Sequence, residues 1–111
     1  MFEFSQTSAT GLRIVISNPS LEAGNIADFK TDFDTHCPAH LESVVVDLSA
    51  VEMIDSSGIG ALLSVHKRLS DGNQVTLRNV QATVLSVIEL LRLHQVFKME
   101  WDPAEVRAPL A

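Results

Sequence analysis

Val44-Val45-Val46-Asp47-Leu48, followed after residues 49–54 by Asp55-Ser56-Ser57-Gly58-Ile59-Gly60, is the stretch whose reading decides the fold. The first run is short, apolar and β-branched, the kind of segment a sheet buries on both faces. Past the second run, Ile59, Leu62, Leu63, His66 and Leu69 recur at helical spacing. The chain therefore passes from a buried strand, through a short link, into a helix over about residues 57–70. Asp55 and Ser56 both qualify as N-cap residues. A serine in the first helical turn has its hydroxyl among unpaired backbone N–H groups, where the helix dipole favours negative charge. Such a place suits a phosphate. It equally suits a plain capping serine, worth about 1 kcal/mol of helix stability.

Outward from this centre the pattern alternates. Upstream, Phe2-Glu3-Phe4-Ser5 reads as an edge strand, and Leu12, Ile14 and Ile16 alternate with Arg13 and Val15 to make a strand over residues 12–17. Thr10-Gly11 is the turn of the resulting hairpin, and Asn18-Pro19-Ser20 breaks the pattern. Ile26, Phe29, Phe33 and Cys37 then mark an amphipathic helix over about residues 23–36, stopped by Pro38. Downstream, Asp71-Gly72-Asn73 ends the second helix and residues 74–77 read as a strand. A third helix over residues 81–93 has Val84, Val87, Ile88 and Leu91 as its stripe, widened by Leu85, Leu90 and Leu93. Residues 96–99 form a last strand. The order β-β-α-β-α-β-α-β predicts a single α/β domain: a small mixed sheet with helices packed against it. The domain is expected over residues 1–102, with a tail over 103–111 that contains two prolines and frays.

At 111 residues the chain holds one core, and its 46% hydrophobic and 20% charged content is that of a globular domain. The apolar runs are too short for direct membrane insertion, and the first residues show no signal peptide. The lone Cys37 fits a reducing compartment, so a cytoplasmic location is expected. Net charge is −6. Residues 1–55 carry nine acids against two bases and residues 56–111 five against six, a bias that disfavours nucleic acid as a partner.

Three other constellations carry less. His36, Cys37 and His40 are close in sequence but lack a fourth ligand, and Pro38 spoils helical pairing, so no metal site is assigned. His66 is read as a histidine hydrogen-bonded at the core edge. A catalytic triad of Ser56, His66 and Asp47 can be written on paper, but Ile54 stands where a nucleophile elbow needs glycine. No Gly-Lys-Ser/Thr loop is present. The chain is read as a non-enzyme with no cofactor.

The segments Val44 to Leu48, Val51, Ile54 to Gly60 and Leu62-Leu63 resemble the STAS domain of the anti-sigma factor antagonists. Leu77-Arg78-Asn79-Val80 and the apolar residues Val84, Ile88, Leu90 and Leu93 are similar to that family's next strand and last helix. The resemblance covers roughly residues 10–100. It implies that Ser56, directly after the aspartate, accepts a phosphoryl group from an anti-sigma factor serine kinase, and that a PP2C-type phosphatase removes it. Unphosphorylated antagonist would hold the anti-sigma factor and free sigma; phosphorylated antagonist would let go. Asp55, Ser57, Gly58 and Ile59 would frame the contact surface, with Gly58 leaving room for a partner's backbone, so that Gly58→Ala is expected to keep or raise stability. Two departures stand out. Asn18-Pro19-Ser20-Leu21-Glu22 replaces the family's Gly-Glu-Leu-Asp turn, and Arg92-Leu93 replaces its Gly-Leu helix end. The alternatives are an unphosphorylated STAS scaffold or accessory subunit in a stress-signalling or membrane transport assembly, and a small-ligand or nucleotide module.

Overall fold

In the computed structural model, which describes residues 2–102, the N-terminal alternation becomes β1 (Phe2–Ser8), antiparallel to β2 (Gly11–Ile16). Phe2 stands opposite Ile16 and Phe4 opposite Ile14, so one side of the hairpin is apolar. A two-residue strand, β3 (Ser20–Leu21), leads to α1 (Ile26–His36). Phe29 and Phe33 are buried there, while Ile26 and Cys37 pack at the margin. Next come β4 (Ser43–Asp47), β5 (Met53–Ile54) and α2 (Ser56–Arg68). β6 (Thr76–Arg78), α3 (Ala82–Leu90), a 3-10 turn at Leu93–Gln95 and β7 (Lys98–Glu100) complete the described chain.

The main sheet runs β1-β2-β4-β6-β7, parallel from β2 onward. Each parallel crossover moves one strand further in the same direction. Right-handed crossovers that all step one way place their helices on one face of the sheet. Burial agrees: Leu12, Ile14, Ile16, Val44, Val46 and Leu77 point into one core with Phe29, Leu62, Val84 and Ile88. Each such side chain contributes about 1.5–3 kcal/mol when fully removed from water. On the other side of the same strands Val45 and Asp47 are only half-buried, so β4 alternates and is not buried on both faces as expected.

The predicted elements are present with shifted ends, and one pairing was not predicted. β3 and β5 form their own parallel ladder, Ser20 beside Met53 and Leu21 beside Ile54. The break at residues 18–20 and the link at 49–54 are thus joined to each other. α2 stops at Arg68 because Leu69 swings to an extended conformation and bridges Leu41, with the Ser70 N–H donating to Leu41 O at 3.0 Å. α3 ends before residue 93 because Arg92 takes a left-handed conformation, φ 59°. Leu90, expected on the apolar face, is 81% exposed, and the last strand starts at Lys98 and not at residue 96. The tail at 103–111 lies outside the described residues.

Candidate functional site

Asp55 organises the start of α2. It holds an extended conformation, and its Oδ1 accepts the Gly58 N–H at 2.9 Å, the bond of an N-cap. Of the two capping candidates the structure therefore selects Asp55. Its Oδ2 accepts a second bond, from the Ala23 N–H at 3.2 Å, and its own N–H donates to Leu21 O at 3.3 Å. One residue thus caps the helix and clips it to the β3–α1 loop. The Gly58 N–H foremost holds the Asp55 carboxyl below the ordinary aspartate range; burial opposes it, and the Ala23 N–H adds to the lowering.

That loop is also tied within itself. Asn25 accepts the Glu22 N–H at 3.0 Å through Oδ1 and donates to Ser20 O at 2.8 Å through Nδ2. Leu21, between them, is fully buried. Sequence reasoning missed Leu21 and Ala23 as parts of the site because their bonds to Asp55 join distant residues, 32 apart for Ala23, and it missed Asn25 because that residue acts only by shaping their loop. Glu22, where the family has aspartate, holds its carboxylate close over Gly24, 3.2 Å from where a Cβ would stand.

With Asp55 as cap, Ser56 becomes the first helical residue and is exposed. Among the described residues its hydroxyl has no hydrogen-bond partner, so it is not spent on capping. Ser57 is half-buried beside it. Met53, two residues before Asp55, is 49% exposed and adds an apolar edge that the sequence reading did not single out.

Gly58 and Ile59 are corrections. Both were expected to face a partner, and both lie inside. Ile59 is 6% exposed and belongs to the core cluster. A Cβ on Gly58 would stand 2.3 Å from Leu21 O and 2.6 Å from Ile54 Cγ1. The absence of a side chain lets α2 press against the β3–β5 ladder, and alanine is expected to crowd the Leu21 backbone there.

The other candidates do not converge on Ser56. His66 lies ten residues further along α2, about 15 Å at 1.5 Å per residue. Its ring meets Phe97 edge-on with centroids 6.1 Å apart. Its buried Nδ1 has no partner among the described residues, contrary to the expected hydrogen bond. Asp47 pairs instead with Arg13 at 3.9 Å and accepts the Ser49 N–H at 2.9 Å. His36 is turned to Asp32 O at 2.8 Å and stacks on Phe4, Cys37 Sγ donates to Pro38 O, and His40 lies beside Glu42. Burial raises the Cys37 thiol above its usual range, with Arg68 pulling the other way. Two shallow clefts are lined by residues away from Ser56. One lies between α1 and α2 over Phe29, Phe33, Ala61 and Val65; the other is lined by Asp28 and Asp32, poor company for a nucleotide phosphate.

A family model described as the STAS domain matches residues 4–106. The chain belongs to the STAS domain family. An anti-sigma factor antagonist STAS domain protein from Planctomyces limnophilus superposes with a TM-score of 0.78 at 19% identity, covering 94% of this chain and 92% of that one. A putative anti-sigma factor antagonist from Thermotoga maritima gives 0.71 at 20% identity, over 94% and 89%. The Bacillus cell fate determinant SpoIIAA in its phosphorylated form gives 0.66 at 16% identity, over 95% of each chain. At these identities the likeness is one of fold. No curated protein matches the chain. No helix among the described residues is long and apolar enough to cross a membrane. Family membership also explains the helix end: Arg92 occupies a left-handed position that suits the glycine usual there.

Proposed function

We propose that this STAS domain is an anti-sigma factor antagonist that binds an anti-sigma factor serine kinase and is switched by phosphorylation at Ser56. The observation that carries the reading is the exposed Ser56 hydroxyl, left without a partner at the first turn of α2 because Asp55 does the capping. Ser56 Oγ attacks the γ-phosphorus of the kinase's ATP, the bond from that phosphorus to the β–γ bridging oxygen breaks to release ADP, and a base of the kinase or water takes the hydroxyl proton. Hydrolysis by a PP2C-type phosphatase restores the serine.

The phosphoserine brings roughly −1.5 to −2 charge at pH 7. Within the domain that charge meets the favourable end of the α2 dipole, worth about 0.3–1 kcal/mol at an exposed site. Asp55 opposes it, but its carboxylate is occupied by the Gly58 and Ala23 N–H groups. The domain tolerates the group and the partner interface does not. Ser56, Ser57 and the exposed Met53 edge form the contact surface in this reading, while Asp55, Gly58 and Ile59 hold it in place. Charge repulsion and desolvation of the phosphate at that surface release the partner.

Intact-mass spectrometry after incubation with a kinase-type anti-sigma factor and ATP tests the proposal. A single added phosphoryl group that disappears in Ser56→Ala and persists in Ser57→Ala is the expected result. Modification of Ser56→Ala at Ser57, or a partner that binds without ever modifying the domain, contradicts it; the second outcome favours the scaffold reading.

A further inference from the structure

Leu90 and Leu91 stand at the end of α3 with 81% and 51% of their surface exposed, although the helix buries Val84 and Ile88 on its core side. Helical spacing puts them in a row. Thr83, Val87 and then Leu90 and Leu91 lie three or four residues apart and share one flank of α3. That flank is turned toward the link before α2, since the Thr83 hydroxyl donates to Glu52 O at 2.7 Å. Met53, next along the link, is itself 49% exposed.

A matching flank of α2 faces this row. On its other side α2 borders the cleft against α1 through Ala61, Ser64, Val65 and Arg68. The opposite flank consists of Ser56, Gly60, Leu63 and Lys67, again three or four residues apart. Because the crossovers set α1, α2 and α3 side by side in that order, it is the flank turned to α3. Leu63 and Val87 are half-buried against the core, whereas a Cβ on Gly60 would meet nothing within 4 Å. A shallow apolar furrow thus starts at Ser56 and Met53 and ends at Leu90 and Leu91, with Thr83 and Leu90 about 10 Å apart along α3. At its far end stand Lys67 and Arg92. Both are exposed, and neither makes an ion pair among the described residues.

We propose that this furrow docks an amphipathic helix of the kinase partner, one with an apolar stripe and an acidic residue at the end that meets Lys67 and Arg92. The inference rests on the partner reading given above and deepens it, because the furrow begins at the phosphoacceptor and continues the same contact surface. A helix in a groove anchors through residues three and four apart, the spacing that both flanks of the furrow display. Exposed leucines grouped beside half-buried apolar residues are the surface such a stripe covers. The two unpaired bases select an acid on the partner and disfavour a basic helix. Anchor and switch are separate in this arrangement. A phosphate on Ser56 acts at one end of the furrow and leaves Leu90 free to bind at the other.

Calorimetric titration of the full chain with the kinase-type anti-sigma factor tests this. Leu90→Ser is expected to raise Kd about tenfold and to raise the KM of Ser56 modification, while kcat and the urea midpoint stay those of the parent. Lys67→Glu is expected to weaken binding and to flatten its salt dependence, and Glu89→Gln, on the outer side of α3, to change nothing. In a Ser56→Asp background Leu90→Ser is expected to cost the same factor again, as separate sites do. An unchanged Kd in Leu90→Ser, an equal loss in Glu89→Gln, or tighter binding by Lys67→Glu overturns the proposal. So does a parent chain that sediments as a dimer and a Leu90→Ser chain that does not, which would mean that a second copy fills the furrow. A factor that binds but never modifies Ser56 defeats the phosphorylation reading alone, since the Leu90 and Lys67 affinities still decide this one. A factor that does not bind defeats both.

Discussion

Gly58→Ala separates a contact glycine from a packing glycine. The new Cβ would lie 2.3 Å from Leu21 O, 2.6 Å from Ile54 Cγ1 and 3.0 Å from the Leu21 carbonyl carbon. Ile54 can turn its side chain; the Leu21 carbonyl is backbone and accepts the Asp55 N–H at 3.3 Å. Relief therefore requires β3 to move away from α2, loosening the Leu21–Ile54 ladder position and the bond to Asp55 together. Overpacking of a tight interior costs about 1–3 kcal/mol, and the greater helix propensity of alanine returns about 1 kcal/mol. With a backbone atom as the obstacle the cost belongs at the upper end, and a net loss of about 1–2 kcal/mol is expected. For m of about 1–3 kcal/mol per molar urea, the midpoint falls by roughly 0.3–2 M. Urea unfolding followed by far-UV circular dichroism measures this directly. A midpoint equal to or above that of the parent protein would refute the packing argument and return Gly58 to the surface role first expected of it.

Asp55→Asn keeps a capping side chain but cannot accept from both the Gly58 and Ala23 N–H groups. Because the folded carboxyl is held below its ordinary value, its stabilisation is present above the unfolded pKa near 3.9 and lost as pH falls through the lower folded value. The urea-midpoint gap between parent and mutant should be wide at neutral pH and close in acid; a gap that ignores pH counts against the clip. Arg92→Gly removes a non-glycine residue from φ 59°, and a gain of about 0.5–1 kcal/mol is expected. That is a rise of a few degrees in Tm by the usual scaling of roughly 4–8 °C per kcal/mol, and a lower Tm would show that the Arg92 side chain matters more than its backbone. Ser56→Asp should leave the thermal melt near that of the parent while weakening kinase binding in calorimetry; unchanged affinity defeats the charge-repulsion account.

What the sequence made legible was whatever repeats along it. Val44, Val46 and Leu48, then Ile59, Leu62 and Leu69, announce a strand and a helix because burial imposes periods of about 2 and 3.6 on them. β3 and β5 are two residues each, too short to have a period, so their ladder left no trace in the pattern. The misreading of Gly58 follows from that omission: without Leu21 opposite, nothing in Ser57-Gly58-Ile59 says which side of the helix is crowded. Ile59 is different: its spacing with Leu62 and Leu69 already put it on the buried stripe, and only the resemblance assigned it to the contact surface. The resemblance to the family located Ser56, but not why its hydroxyl is free. That depends on Asp55 taking the cap, and Asp55 is held by a loop 32 residues upstream whose backbone supplies the Ala23 N–H. A change in the β3–α1 loop that leaves Asp55 and Ser56 untouched should therefore disturb the phosphoacceptor. Asn25→Ala is such a change: it removes the bonds to the Glu22 N–H and Ser20 O that hold the loop's shape. Slower modification of Ser56 with an unaltered Ser56 side chain is the expected result, read by the same intact-mass time course. An unchanged rate would mean that the serine needs only the helix beneath it.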